Sequence, residues 1–181
     1  MKIHSVKFNF IMNFIMSASS IVFPLITFPY VSRILLPIGT GKVSFATSIV
    51  SYFTLFAQLG IPTYGIRACA KVRDNREELS KMVQELFIIN LMMSALAYVV
   101  YFAAIYYVPR FRQDKDLFLI VGLTIFFNAI GMEWLYKALE QYTYITVRSI
   151  IFKFIAIVAM FLMVHEQSDY VIYGGISILA S

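Results

Sequence analysis

The sequence predicts an all-α fold, a polytopic bundle of transmembrane helices. Of its 181 residues, 60% are hydrophobic, only 14% are charged, and the mean hydropathy is +0.78. A soluble domain carries roughly 25% charged residues, because it must present a wetted surface. The apolar residues also form long runs, and Lys and Arg collect in the short segments between those runs. We therefore expect five full spans and a truncated sixth.

The spans follow from the lengths of the apolar runs. A bilayer core about 30 Å thick is crossed by roughly 20 apolar residues as helix. The runs that predict spans cover residues 8–31, 43–60, 83–107, 117–135, 147–164 and, shorter, 170–181. The first run has no small-residue cleavage site, so we expect an uncleaved span and not a signal peptide. The last would extend only about 18 Å, so we expect a fragment of a longer protein or an unusual half-span.

The basic residues predict the orientation. With the N-terminus in the cytoplasm, ten of them fall on the inner side and five on the outer side, as the positive-inside rule requires. The inner set is Lys2, Lys7, Arg67, Lys71, Arg73, Arg76, Lys81, Lys137, Arg148 and Lys153, and the outer set is Arg33, Lys42, Arg110, Arg112 and Lys115. Because these residues do not gather on one face, we do not expect a nucleic-acid partner.

Local signals mark several helix ends. Asp74 and Glu77 have capping-box spacing and Glu77 with Lys81 is a favourable i,i+4 pair, so the third helix should begin near Asn75. The basic segment 67–81 is interpreted as a topology determinant or as a contact for anionic lipid. Aromatic residues near the span ends are interpreted as interfacial anchors: Tyr106, Tyr107, Trp134, Tyr136, Tyr142 and Tyr144.

Four of the predicted spans carry a stripe of polar or small residues at helical spacing. The stripes are Asn9, Asn13, Ser17, Ser20, Pro24 and Thr27; Ser44, Ser48, Ser51, Thr54 and Gln58; Asn90, Ser94, Tyr98 and Tyr101; and Thr124, Asn128 and Gly131. Such stripes either surround a hydrated, substrate-sized cavity or let helices pack closely. The candidates for lining a cavity are Asn13, Ser17, Ser51, Gln58, Asn90 and Asn128.

Prolines and charges add further candidates. Pro24 and Pro29 remove backbone donors inside the first span and are hinge candidates. Arg33, at the outer end of that span, either binds an anionic headgroup or anchors the helix by snorkelling. Lys42 is a second cationic candidate in the same outer turn.

Two further charges lie within or beside later spans. Lys153, about one and a half turns into the fifth span, either snorkels to the cytoplasm or faces a phosphate in a cavity. Glu133 with Lys137 is interpreted as a local ion pair, with a proton-carrying carboxylate as the alternative.

The sequence gives little support to an enzyme. His4 and His165 are predicted on opposite sides of the membrane, and no paired acids or HExxH-type arrangement falls within one layer. The single Cys69 permits no intrachain disulfide, and no CxxC or Cys/His zinc site is present. We expect neither a metal nor a cofactor.

An ordered series of segments resembles a known family. FPLITFPYVSRIL, GKVSFATSIVSYF, LGIPTYGIRACAKVRDNREELSK, ELFIIN, EWLYKALEQYTYITVRSIIFK and DYVIYG are similar to the N-terminal half of Wzx-type flippases for O-antigen and capsular repeat units. These flippases belong to the polysaccharide transporter branch of the multidrug/oligosaccharidyl-lipid/polysaccharide exporter superfamily. Family members commonly have a Gly before the proline and an acid after it in the first outer turn, where this chain has Leu36 and Ile38. Their RE-x-A pattern appears here as residues 67–70, RACA.

The resemblance implies a fold and a function. It implies that residues 1–181 form the first of two six-helix lobes, with the second lobe absent, and that the transporter moves an undecaprenyl-diphosphate-linked oligosaccharide across the bacterial inner membrane. Membrane lipids and the polysaccharide polymerase machinery are the other implied partners. Two alternatives stay open: an inactive truncated fragment, and a cation-coupled drug exporter of the same superfamily. The drug exporter would need a buried carboxylate cluster in the first span, which this sequence lacks.

Overall fold

The protein is helical throughout the part that the structure, a computed structural model, describes, which is residues 6–180. The helices are α1 (Val6–Gln58), α2 (Ile61–Lys71), α3 (Arg76–Tyr107), α4 (Pro109–Gln113), α5 (Lys115–Gly131), α6 (Glu133–Ala138), α7 (Tyr142–Met163) and α8 (Tyr170–Leu179), with a 3-10 turn at Gln167–Asp169. The all-α prediction is confirmed. Four helical segments are long and apolar enough to cross a membrane, and the first runs from Lys7 to Lys71. How many times the chain crosses the membrane stays a prediction.

Helix α1 contains a single break, at Leu36. The predicted spans 8–31 and 43–60 leave residues 32–42 as the turn between them, but α1 is helical there apart from Leu36, which has φ 56° and ψ 176°. The helix also continues through Pro24 and Pro29. Pro37 follows at once, where its fixed φ suits the first residue of a new helix. We refer to residues 6–35 as the N-terminal arm and to residues 37–58 as the C-terminal arm.

The N-terminal arm lies parallel to α7. Three hydrogen bonds between them join residues with the same offset of 134 positions: Thr146 to the carbonyl of Met12, Lys153 to Ser19, and Tyr30 to the carbonyl of Val164. A constant offset means that both helices advance in the same direction. The N-terminal arm and α7 therefore form one side-by-side pair.

The C-terminal arm forms a second layer with α5 and α3. Its contacts with α5, Lys42 to Asp114 and Gln58 to Asn128, advance together and show that these two helices are parallel. The contacts between α3 and α5 run in opposite directions: Asn90 to Ala129, Tyr98 to Gly122 and Tyr101 to Phe118. Helix α3 is therefore antiparallel to both.

These contacts make the break at Leu36 a hairpin. Tyr170, six residues beyond Val164, donates a hydrogen bond to Asp114 at the start of α5. Helix α8 then runs along α5, since Gly174 lies against Leu117 and Val121. It also folds back on α7, since Ile176 packs with Ala156 and Met160, so α5 and α7 run in opposite directions. Since the N-terminal arm follows α7 and the C-terminal arm follows α5, α1 reverses direction at Leu36.

The buried apolar residues form three clusters. The largest joins the C-terminal arm with α3 and α5 through Val43, Ala46, Val50, Ala97, Tyr101, Phe118, Val121 and Ile125. A second joins the N-terminal arm with α7 and α8 through Val31, Leu35, Ala156, Met160 and Ile176. A third joins α2, α3 and α6 through Ile61, Cys69, Leu86, Trp134 and Ala138. Each arm of α1 therefore belongs to a different cluster.

Trp134 lies inside the third cluster. The sequence suggested an interfacial anchor, but the side chain is only 5% exposed. Gly65 on α2 provides the space, because a Cβ there would lie 2.6 Å from Cε3 of the indole. Helices α2 and α6 therefore meet through a glycine and a tryptophan, and the anchor interpretation of Trp134 is wrong.

The start of α3 and an ion pair near α6 agree with the sequence predictions, except for the residue that caps α3. Helix α3 starts at Arg76 as expected, but Asn75 caps it, accepting from the backbone N–H groups of Glu77 and Glu78. Glu133 and Lys137 form the expected ion pair at 2.7 Å.

The connection from α7 to α8 is held by Asp169. Its carboxylate accepts from the backbone N–H groups of His165 and Glu166, both at 2.9 Å. These hydrogen bonds hold the pKa of Asp169 below its ordinary value. The turn is therefore fixed by a charged acceptor.

Leu36→Gly should stabilise the protein. Leu36 occupies a backbone region that only glycine enters freely, which costs about 1 to 3 kcal/mol, and its side chain is 47% exposed. After the entropy cost of glycine, we expect the free energy of unfolding to rise by about 1 kcal/mol. Denaturation in detergent micelles measures this free energy.

Ile38→Gly, at an exposed helical position, is the control and should lower stability by about 1 kcal/mol. Equal losses in both variants would show that Leu36 is unstrained.

Gly65→Ala should destabilise the protein by about 1 to 3 kcal/mol, because the new methyl group would overlap the buried ring of Trp134. Thermal unfolding of the purified variant checks this. Gly41→Ala is a matched control, since a Cβ at Gly41 meets no atom within 4 Å, and it should be neutral or stabilising. An unchanged melting temperature for Gly65→Ala would mean that α2 and α6 are not closely packed.

Candidate functional site

Most predicted cavity residues on α1 and α5 are exposed on the surface of the bundle. Asn13 and Ser17 on the N-terminal arm, Ser51 on the C-terminal arm and Asn128 on α5 are exposed, and Gln58 is half-buried. These residues lie in segments apolar enough to cross a membrane. Because polar side chains in lipid are costly, such residues normally face other helices or water. Their exposure fits a surface that faces another protein segment or a hydrated cavity.

Gln58 and Asn128 form the direct link between two of the predicted stripes. The Gln58 side-chain amide donates to Asn128 Oδ1 at 3.2 Å, and Asn128 Nδ2 donates to the Thr124 carbonyl at 2.9 Å. The pair joins the C-terminal ends of the C-terminal arm and α5. It leaves two amide groups at one exposed position between neighbouring helices.

The serine hydroxyls along the C-terminal arm form hydrogen bonds within their own helix. Ser48 and Ser51 donate to the carbonyls of Ser44 and Thr47, both at 2.8 Å. A hydroxyl bonded in this way can face lipid at little cost, so the packing interpretation is sufficient for these serines. A role for Ser51 in a cavity stays a prediction.

Asn90 lies in the seam between α3 and α5. It is 3% exposed and donates to the Ala129 carbonyl at 3.1 Å. One turn further, Ser94 is 4% exposed. Asn90 Oδ1 and Ser94 Oγ have no hydrogen-bond partner among the described residues. The placement of Asn90 favours packing, and its role in a cavity stays a prediction.

Lys153 has the least ordinary environment among the predicted residues. It lies eleven residues after Tyr142 and ten before Met163, so it sits near the middle of α7. The residue is 8% exposed, and Nζ donates to Ser19 Oγ at 2.9 Å and to Ser20 Oγ at 2.8 Å. Between residues 6 and 180, no carboxylate lies within 4 Å of this ammonium. A cation is thus buried in an apolar segment with neutral partners only.

Ser19 was not among the residues that the sequence singled out. It lies next to the predicted stripe residue Ser20, and its hydroxyl also donates to the Met16 carbonyl at 2.7 Å. Only the parallel pairing of the N-terminal arm with α7 brings it to Lys153. No signal in the sequence alone fixes that pairing.

Lys42 forms a cluster with two residues that the sequence did not indicate. Its Nζ donates to Asp114 Oδ1 at 2.6 Å and lies 4.7 Å from the centroid of the Tyr170 ring. Tyr170 donates to the same Asp114 oxygen at 3.1 Å. This Lys42 cluster ties α8 and the start of α5 to the C-terminal arm, just beyond the hairpin. The contacts of Lys42 are structural in this structure, and a role in binding substrate stays a prediction.

The remaining candidates lie close to the hairpin or within the N-terminal arm. Arg33 is exposed three residues before the break at Leu36, in a position open to an anionic group. Pro24 and Pro29 are exposed in continuous helix, and the break falls beyond them. Their role as hinges stays a prediction.

Among residues 6–180, no group of three or more His, Cys, Asp and Glu side chains is arranged to hold a metal ion.

The fold and the placement of these residues define a class. Long apolar helices, polar groups exposed along them and a buried cation are features of a multi-pass α-helical membrane protein. The family model for "Polysaccharide biosynthesis protein" matches residues 6–181. The chain belongs to this family, in agreement with the resemblance seen in the sequence.

Two curated proteins are similar to the chain. A "Putative O-antigen transporter" of Escherichia coli (strain K12) is 23% identical over 172 residues, covering 95% of this chain and 41% of the relative. A protein of the same description from Shigella dysenteriae is 23% identical over 165 residues, covering 91% of the chain and 41% of the relative. The chain thus spans about 41% of the length of these relatives. Both are named as transporters, in line with the expectation that the chain is not an enzyme. No solved structure gives a significant match.

Asp114→Asn should weaken the attachment of the hairpin. The substitution removes the charge that faces Lys42 while keeping an acceptor for Tyr170, and both charged groups are partly exposed. We expect the free energy of unfolding to fall by about 1 kcal/mol at low salt. Because salt screens the pair, the difference from wild type should shrink in 1 M NaCl. Asp116→Asn is the control, since this exposed acid forms no ion pair with any residue in the described range 6–180. A loss that does not depend on salt would argue against the ion pair.

Proposed function

We propose that this chain takes part in moving a lipid-linked oligosaccharide across the bacterial inner membrane, as a component of an O-antigen or capsular repeat-unit flippase. Its membership of the polysaccharide biosynthesis family and its two relatives named as O-antigen transporters support this function. The substrate is an oligosaccharide attached to undecaprenyl diphosphate. The polysaccharide polymerase machinery is the proposed partner that uses the product.

The proposed mechanism is alternating access. The bundle rocks against an opposing lobe, so that the cavity between them opens first to the cytoplasm and then to the periplasm. The N-terminus lies in the cytoplasm, which agrees with the excess of Lys and Arg on that side. The sugars or the water around them contact the half-buried Gln58 and four exposed polar residues, which are Asn13, Ser17, Ser51 and Asn128.

The environment of Lys153 is the observation that carries the proposal. Burial removes water from the Lys153 ammonium, and its two hydroxyl partners do not neutralise its charge. An anion that reaches this ammonium therefore binds favourably. The diphosphate of the substrate is an anion that enters the membrane-spanning region with its lipid. Ser19 and Ser20 hold the Lys153 ammonium on the N-terminal arm, beside the exposed Ser17.

Lys153→Gln should separate ligand binding from stability. Glutamine can still bond the serine hydroxyls but carries no charge. We expect binding of undecaprenyl diphosphate to the purified 181-residue chain in nanodiscs, measured by native mass spectrometry, to weaken at least about tenfold, which is 1.4 kcal/mol. The melting temperature should be unchanged or higher, because an unpaired buried charge has been removed.

Lys137→Gln is the matched control, since Lys137 is partly exposed and pairs with Glu133. Its binding should equal that of wild type. Unchanged binding in Lys153→Gln together with a lower melting temperature would show that Lys153 is structural and would remove the main support for the function.

Complementation tests the activity itself. A strain that lacks its own flippase should regain surface O-antigen when it receives the wild-type chain, and should regain less with Lys153→Gln at equal protein level. If the chain binds the lipid but restores no polymer, the 181 residues are inactive without an opposing lobe. If it neither binds nor restores polymer, the proposed function is wrong.

A further inference from the structure

The hydroxyl group of Tyr98 lies within the backbone hydrogen-bond ladder of α5. In an α-helix the N–H of residue 126 bonds the carbonyl of residue 122, four positions earlier. Here the Phe126 N–H donates to the Tyr98 hydroxyl at 3.1 Å, and that hydroxyl donates to the Gly122 carbonyl at 2.9 Å. One side-chain oxygen on α3 thus bonds both the donor and the acceptor of this position in the ladder, and α5 remains helical there.

The residues around Tyr98 keep its hydroxyl in this position. Its ring stacks on Phe102, with centroids 5.5 Å apart. Gly122 lets α3 approach closely, because a Cβ there would lie 2.6 Å from the Tyr101 ring. Tyr101 donates its own hydrogen bond to the Phe118 carbonyl, one turn earlier on α5. Close packing therefore directs the Tyr98 hydroxyl at α5.

The two halves of α5 on either side of this position are held differently. The first half is fixed by the Lys42 cluster and by Leu117, Phe118 and Val121, which are at most 2% exposed. In the second half Phe126, Phe127 and Ile130 are 45 to 54% exposed, and Asn128 is also exposed. Its contacts with other helices include the hydrogen bonds to Gln58 and Asn90. The second half buries only Ile125 and Ala129, against four residues in the first half, and is therefore packed over less of its surface.

We propose that Tyr98 creates a hinge in α5 between Gly122 and Phe126. A side chain inserted into the i to i−4 ladder is one of the few causes of helix bending. While the hydroxyl bridges the two backbone groups, the second half of α5 bends away from the first. When Tyr98 withdraws, the Phe126 N–H bonds the Gly122 carbonyl directly and the helix straightens. Asn128 moves with the second half, which changes its hydrogen bond to Gln58 on the C-terminal arm. This hinge rests on these contacts alone and is independent of the transported substrate.

Hydrogen–deuterium exchange of peptides that cover residues 122–128 tests the hinge, using the full chain in nanodiscs. Tyr98→Phe removes the inserted oxygen and keeps the ring, so the ladder should close and exchange should slow about fivefold, the value of roughly one hydrogen bond. Tyr101→Phe is the control, because Tyr101 bonds a carbonyl of α5 without bridging to an N–H. Its exchange should be unchanged or faster.

A purely structural Tyr98 gives the opposite result. Losing an ordinary hydrogen bond would leave exchange unchanged or make it faster in Tyr98→Phe, and this outcome would overturn the hinge. Slower exchange in both variants would also overturn it, because the effect would not be specific to the inserted oxygen.

A distance measurement provides a second test. Spin labels at the exposed positions Asp116 and Ile130, in a Cys69→Ala background, are roughly 21 Å apart along a straight helix. Tyr98→Phe should give one longer, narrower distance than the chain with Tyr98. Identical distributions would overturn the proposal.

Discussion

Hydrogen bonds from side chains to the backbone of neighbouring helices are the interaction on which the rest of this bundle depends. Lipid tails are as apolar as leucine, so burial of apolar surface does little to hold membrane helices together. Tyr30 and Thr146 donate to carbonyls across the pair formed by the N-terminal arm and α7. Asn90, Tyr98 and Tyr101 do the same between α3 and α5. These bonds fix direction and register, and the apolar clusters and the surroundings of Lys153 follow from that register.

The sequence predicted the features that depend on short-range patterns. Apolar length predicted the helices, and i,i+4 spacing predicted the Glu133–Lys137 pair. Contacts between distant segments could not be read in this way. The partner of Lys42 lies 72 positions away, and Ser19 reaches Lys153 only through the pairing of two helices. Tryptophan is a residue type typical of interfacial anchors, and the burial of Trp134 depends on the small Gly65 that it packs against.

The break in α1 shows how a family pattern and a backbone angle complement each other. The resemblance places a glycine where this chain has Leu36, and the structure gives that residue the positive φ that favours glycine. Pro24 and Pro29, the hinge candidates from the sequence, lie in continuous helix. A bulky residue at the hairpin thus preserves the reversal of the chain and stores strain next to the Lys42 cluster, where α5 and α8 hold it.

The constant offset of 134 positions between the N-terminal arm and α7 also limits which changes in length the chain can accept. One residue inserted between Met12 and Ser19 would rotate everything beyond it by about 100°, at 3.6 residues per turn. The Ser19 and Ser20 hydroxyls would then turn away from Lys153 while Thr146 kept its partner. Substitutions between these helices change one contact at a time, whereas a single insertion or deletion misaligns every contact beyond it. Homologues that keep the buried lysine should therefore show no gaps in either helix.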